Sequence, residues 1–219
     1  MFYCPYEICD PYFYRQQQLQ PNSFVRVLHA APGAPIVDIY ANDNLIIKRI
    51  RYQQFTPYFQ LPAGRYNIKI YPSGTKINPI LNSEVNIPSN MIFTVAAIGN
   101  LPNIELYAVP DVATINQSKT LIKFVHLSPN TPNIDIALSN GTKLFGDIGY
   151  KDTTNYITVN PSTYTIQARP TGAQNVILTV PNIRLKPNRS YTIYIVGLTG
   201  GDPLIQVLIP LDGSSYIGR

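Results

Sequence analysis

The stretch Val25–Tyr40, VRVLHAAPGAPIVDIY, is written a second time as Ile122–Ala137, IKFVHLSPNTPNIDIA. Each copy sets a histidine, a proline three residues on, another proline three further and an aspartate three further again. These are His29, Pro32, Pro35 and Asp38 in the first copy and His126, Pro129, Pro132 and Asp135 in the second, an offset of 97. The match continues at an offset of 98, where IRYQQFTPYFQLPAGRYNIKIYPSG (50–74) meets IGYKDTTNYITVNPSTYTIQARPTG (148–172). Tyr52 stands opposite Tyr150, Tyr58 opposite Tyr156, and Tyr66 opposite Tyr164. Phe93–Gly99, FTVAAIG, then meets Tyr191–Gly197, YTIYIVG. The added residue falls in the turn Ser139–Thr142, SNGT, and Asn-Gly is the strongest short hairpin signal. A repeat this long is no solenoid unit and marks two whole domains in tandem.

Within each copy, short apolar runs alternate with Pro, Gly, Asn and Asp, the spacing of an antiparallel β-sandwich. RYNIKIY puts Tyr66, Ile68 and Ile70 on one face and Arg65, Asn67 and Lys69 on the other; TYTIQAR repeats this with Tyr164, Ile166 and Ala168. One face meets the core and one meets water. Composition agrees: of 219 residues, 20 are Pro and 16 Tyr, with no Trp and only 13% charged. That mixture disfavours helices and suits strands joined by many turns. The expected architecture is all-β: two tandem immunoglobulin-like antiparallel β-sandwiches behind an N-terminal arm. The boundaries are an arm at 1–23, a first sandwich at 24–110, a polar linker at 111–120 that permits interdomain motion unless the domains bury a large contact, a second sandwich at 121–212 and a tail at 213–219.

Tyr66 and Tyr164 each follow a turn into a strand. They read either as corner tyrosines whose hydroxyl returns to the backbone or as plain half-buried strand residues. The VRVLHAAPGAPIVDIY, LPAGRYNIKIYPSG and FTVAAIG segments resemble the bacterial domain-of-unknown-function family 4397. The likeness covers about residues 24–212, the span in which both repeat copies lie. It implies a tandem immunoglobulin-like repeat of bacterial cell surfaces and secreted proteins, and it implies no catalytic residues.

Chemistry is sparse. His29 shares a strand face with Val25 and Val27, and His126 with Ile122 and Phe124, so both histidines point with the core aliphatics, whereas Asp38 and Asp135 turn outward. The structural reading has each histidine donate a ring nitrogen to a loop carbonyl while Pro32, Pro35, Pro129 and Pro132 shape a crossover between sheets. One histidine per domain falls short of a zinc ligand set, and no nucleophile–base pair, phosphate loop or nucleotide motif is present. No enzyme, cofactor or metal is therefore expected. ANDN (41–44) reads as a turn ahead of a calcium loop. The net charge is +5, but the basic residues are scattered, and the tightest group, Lys48, Arg49 and Arg51, splits between two strand faces. That argues against nucleic acid, and no apolar run is long enough for a membrane span.

Residues 1–23 belong to neither copy. They hold both cysteines, Cys4 and Cys9, with Tyr3, Tyr6, Tyr12, Phe13, Tyr14 and a Gln-rich run. A free tail is ordinarily charged and poor in aromatics. Two readings stay open: an arm folded back on its own domain, closed by a Cys4–Cys9 disulfide, or an arm that docks on another copy of the chain and is locked by intermolecular disulfides. The segment carries neither a basic leader nor an apolar h-region, so either export does not use a cleaved signal or the signal has been removed. Together with the resemblance, these features point to a non-catalytic structural or adhesive protein of a bacterial cell or spore surface, self-assembling through the arm. The alternative is a glycan- or small-ligand-binding module, with Tyr52, Tyr58, Tyr150 and Tyr156 as the candidate sugar platforms.

Overall fold

β-branched and aromatic residues in period-two runs, broken every few residues by Pro, Gly or Asn, leave the chain little choice but short strands. The computed structural model describes residues 21–111, 117–215 and 217. The arm residues Cys4, Cys9, Tyr3, Tyr6, Tyr12, Phe13 and Tyr14 lie outside them, as do 112–116 of the expected linker. The first half contains β1 (Asn22–His29), β2 (Val37–Ala41), β3 (Asn44–Ile50), β4 (Phe59–Pro62), β5 (Gly64–Pro72), β6 (Leu81–Ile87), β7 (Ile92–Asn100) and β8 (Asn103–Pro110). The second contains β9 (Thr120–His126), β10 (Ile134–Leu138), β11 (Lys143–Ile148), β12 (Ile157–Val159), β13 (Ser162–Pro170), β14 (Leu178–Leu185), β15 (Arg189–Val196) and β16 (Gln206–Leu208).

The two halves have one topology. In the first, a sheet ordered β4-β1-β7-β8 packs on a sheet ordered β3-β2-β5-β6; in the second, β12-β9-β15-β16 packs on β11-β10-β13-β14. The pairing is not antiparallel throughout. β1 runs parallel to β7, from Phe24 beside Ile92 to His29 beside Ala97, and β9 runs parallel to β15 in the same register. The parallel pairs set the first strand of each half beside its next-to-last strand at the centre of one sheet.

Each sandwich has its own apolar interior. Val27, Ile39, Ile68, Ile70 and Ala97 meet in the first; Ile122, Phe124, Ile136, Ile166, Ile193 and Ile195 meet in the second. The outer sheets follow the expected alternation, with Ile68 and Ile70 buried and Arg65 exposed. The β1 and β9 sheets do not. Leu28, Ala96, Ile98 and Val109 form a further buried cluster with Val125, Leu127, Tyr194 and Val196. These side chains come from the opposite faces of β1, β7, β8, β9 and β15, so the two halves press these sheets together. FTVAAIG and YTIYIVG are apolar on both faces for this reason.

Three boundary expectations change accordingly. Asp111 begins the expected polar linker but is 1% exposed, and Thr120, at its end, is buried in β9. Beyond 212, a short 3-10 turn at Gly213–Ser215 is packed in, with the Ser190 N–H donating to Ser215 Oγ at 2.8 Å. The two halves bury a shared core, the condition under which a short polar linker gives no free hinge.

Candidate functional site

The repeated His-Pro-Pro-Asp phrase resolves into two posts per domain. His29 ends β1, and its Nε2 lies 3.0 Å from the Pro35 carbonyl oxygen; His126 Nε2 lies 3.4 Å from that of Pro132. A carbonyl only accepts, so Nε2 carries the proton in both. His126 Nδ1 then accepts from the Ser128 N–H at 3.3 Å. Each ring thus ties the end of a strand to the proline loop that crosses to the other sheet. The edges of Tyr52 and Tyr150 pack on these rings at 6.0 and 6.5 Å between centroids. Burial, opposed in part by the Pro35 and Pro132 carbonyls, pushes both imidazoles below their usual pKa.

Asp38 leaves the core face to Val37 and Ile39, as alternation predicts, but it does not reach water there and is 5% exposed. The cause is a register shift between β2 and β3, where Arg49 takes a φ of 57° and its N–H leaves the ladder. Asp38 Oδ1 accepts that N–H at 2.7 Å, while Oδ2 accepts the Gly74 N–H at 3.0 Å. Asp135 does the same for Asp147 at 2.9 Å and pairs with Lys143 at 2.7 Å. Burial works against the Asp38 charge, but the Gly74 and Arg49 N–H groups outweigh it and hold its pKa below the usual carboxylate value. Tyr66 and Tyr164 each donate to a carbonyl four residues back, Pro62 at 2.9 Å and Asn160 at 2.7 Å, closing a corner in both copies.

The densest polar constellation lies elsewhere, between the halves. Arg26 of β1 and Lys123 of β9 occupy equivalent positions and face each other's domain, 3% and 2% exposed. Arg26 Nη1 donates to the Leu211 carbonyl of the second half at 2.9 Å, and Lys123 Nζ donates to the Pro110 carbonyl of the first. Each of these carbonyls immediately precedes a buried aspartate. Asp111 lies 3.9 Å from Arg26 and 3.7 Å from Lys123. Tyr58 donates to Asp111, and Tyr156 donates to Asp212 at 2.6 Å. Thr94 and Thr192 donate to the same two carboxylates, at 3.3 and 2.7 Å. The Arg26 guanidinium sits over the rings of Phe55 and Tyr58, and Lys123 over that of Tyr156. Two cations, two carboxylates and two tyrosines are thus related by an approximate two-fold axis, as in an isologous dimer interface.

Electrostatically the cluster is neutral but costly to bury. Burial, reinforced by Asp212, raises the Asp111 pKa to about 6 despite both cations, and burial raises that of Asp212 as well. Burial lowers the pKa of Lys123 against the pull of Asp111 and Asp212. A carboxylic acid poised near neutrality is useful in catalysis, yet Asp111 and Asp212 are 1% and 0% exposed. Among the described residues, no group of three or more His, Cys, Asp or Glu is placed to hold a metal ion.

Two of the four tyrosines suggested as sugar platforms, Tyr58 and Tyr156, are therefore committed to this interface, and Tyr52 and Tyr150 brace the histidines. Arg26, Lys123, Asp111, Asp212, Thr94 and Thr192 did not stand out in the sequence. The legible signal was a basic residue at the same position of two otherwise apolar strands, VRVLH and IKFVH.

The model of the family described as "Domain of unknown function (DUF4397)" matches the chain twice, over residues 23–137 and 137–214. No curated protein matches. Among solved structures, the Bacillus anthracis TIE protein is 13% identical with a TM-score of 0.25, over 85% of this chain and 34% of that one. The chain spans about a third of that protein's length. The carbohydrate-binding module CBMbc (family CBM26) from Eubacterium rectale Amy13K, solved with maltoheptaose, is 9% identical with a TM-score of 0.26, over 86% of this chain and 96% of that one.

Proposed function

The chain belongs to the DUF4397 family, and we propose that it serves as a rigid, non-catalytic structural module of a bacterial cell or spore surface, assembling with other copies through its N-terminal segment. One observation carries this reading: the ionisable groups common to both copies are spent inside the protein. The histidines hold proline loops, Asp38 and Asp135 satisfy bulged strands, Arg26, Lys123 and Asp111 lock one sandwich to the other, and Asp212 is held beside them by Tyr156 and Thr192. A catalytic pair must meet substrate, and all of these groups except Asp135, whose side chain is 17% exposed, are buried. A fused double sandwich is instead a stiff spacer.

The segment before Pro21 supplies the assembly chemistry, with two cysteines for covalent links and six Tyr or Phe near them. Removing residues 1–20, or replacing Cys4 and Cys9 with serine, is expected to convert an oligomer or fibre into a monomer by size-exclusion chromatography and negative-stain microscopy. Antibody against the full chain is expected to label intact cells or spores. Assembly of the shortened chain equal to that of the full one, or an antigen found only inside the cell, overturns the reading.

A further inference from the structure

The first sandwich does not close its interior. Between its sheets lies a cavity of about 250 Å³, lined by Val25, Val27, Phe59, Ile70, Val95 and Ala97 among others; among the described residues that line it, only Asn86 is polar. Ile46, Asn86 and Pro88, at its rim, are exposed to solvent. A cavity without polar partners stays dry and takes up apolar molecules.

The second sandwich shows that this fold can fill the same space. Phe124 stands where the first has Val27, Ile193 where it has Val95, and Ile195 where it has Ala97, as the matching strand registers fix. Phe124 packs on Phe145, the counterpart of Ile47, at 5.1 Å between centroids. The second half keeps only a more open cleft of about 370 Å³, rimmed by Lys119, Thr158 and Asn160. That cleft touches the counterparts of Val25, Leu61, Ile68 and Ile87 and does not reach Phe124, Ile193 or Ile195. The deep part of the cavity is particular to the first copy.

We propose that the first sandwich binds the hydrocarbon tail of a medium-chain amphiphile, with the tail between the sheets and its polar head at the rim in water. Among the described residues no polar side chain lies deep in the site to recognise a head group, so hydrocarbon is the chemistry the walls accept. Benzene fits an apolar cavity of about 150 Å³, which by proportion gives about ten carbons here.

The test is titration of the full chain with hexanoic, decanoic and hexadecanoic acids below their micelle concentrations, by calorimetry and by NMR of labelled Val, Ile and Met methyls. Decanoic acid is expected to bind at least tenfold more tightly than hexanoic acid, with no further gain for hexadecanoic acid, and to shift the Val25, Val27 and Met91 methyls. Val27→Phe and Ala97→Ile, each borrowed from the second copy, are expected to weaken decanoic acid at least tenfold while the melting temperature holds or rises. Equal binding by both filled variants, or no saturable binding by the full chain, overturns the proposal. So do contacts from the cavity methyls to Phe or Tyr rings of residues 1–20, which would make the occupant the chain's own leading segment.

Discussion

His29 and His126 carry no burden of chemistry in this account; each is a strut between a strand end and a proline loop. Truncating either to alanine removes a buried hydrogen bond and opens a void, so His29→Ala and His126→Ala are each expected to cost about 2–4 kcal/mol of stability in urea unfolding. A loss below 0.5 kcal/mol would remove the strut role. The histidines were readable as buried because they share a face with Val25, Val27, Ile122 and Phe124. Alternation read the direction of Asp38, opposite to Val37 and Ile39, but not its burial, because the bulge in β3 and the turn at Gly74 that cover it leave no mark in composition. Asp111 gives a sharper test. Its pKa is raised by burial, so its protonation contributes stability that is complete below the unfolded value near 3.8 and is lost as pH rises through about 6. The histidines oppose this: their lowered pKa values give stability that is present above about 6.5 and is lost as pH falls. The wild-type profile also carries the raised pKa of Asp212 and the lowered pKa of Lys123, and the difference from Asp111→Asn removes the histidines, which do not touch Asp111. Wild type is expected to lose ground to Asp111→Asn by up to about 3 kcal/mol between pH 4 and pH 7.5. A constant difference, or one of opposite sign, means that Arg26 and Lys123 keep Asp111 charged.

At the scale of elements, the repeat made the strands easy to find. Alternation in RYNIKIY and TYTIQAR marked half-buried strands, and the structure places them at β5 and β13. What alternation could not show was that the sheets holding β1 and β9 are covered on both sides. A strand buried on two faces reads only as a continuous apolar run, and its partner lies in the other half of the chain. The hairpins closing β7 and its counterpart β15 depend on glycine. Gly99 and Gly197 have φ of 90° and 92°, and a Cβ at either would collide with a backbone carbonyl, that of Asn103 or Leu204. Gly99→Ala and Gly197→Ala are therefore each expected to cost about 2 kcal/mol or more. Melting temperatures within a degree of wild type would contradict that. Exposed glycines with positive φ and open space around them, such as Gly33, serve as the control for φ alone.

For the whole molecule, the claim is that two copies of one sandwich have become a single body through a pseudo-symmetric interface. The interface carries an apolar patch, in which each fully buried Leu, Ile or Val is worth about 1.5–3 kcal/mol, and a buried ionic cluster in which orphaning one charge costs about 3–5 kcal/mol. The exposed Glu105–Lys151 pair at its edge adds little. The tandem repeat was legible in the chain, but the docking of one copy on the other was not, because Arg26 and Lys123 look like ordinary surface cations until the facing sheet is known. Differential scanning calorimetry of the full chain tests this most directly. One transition whose calorimetric and van't Hoff enthalpies agree is the predicted result. Two transitions, or a van't Hoff enthalpy near half the calorimetric one, would show the sandwiches unfolding independently and contradict the account.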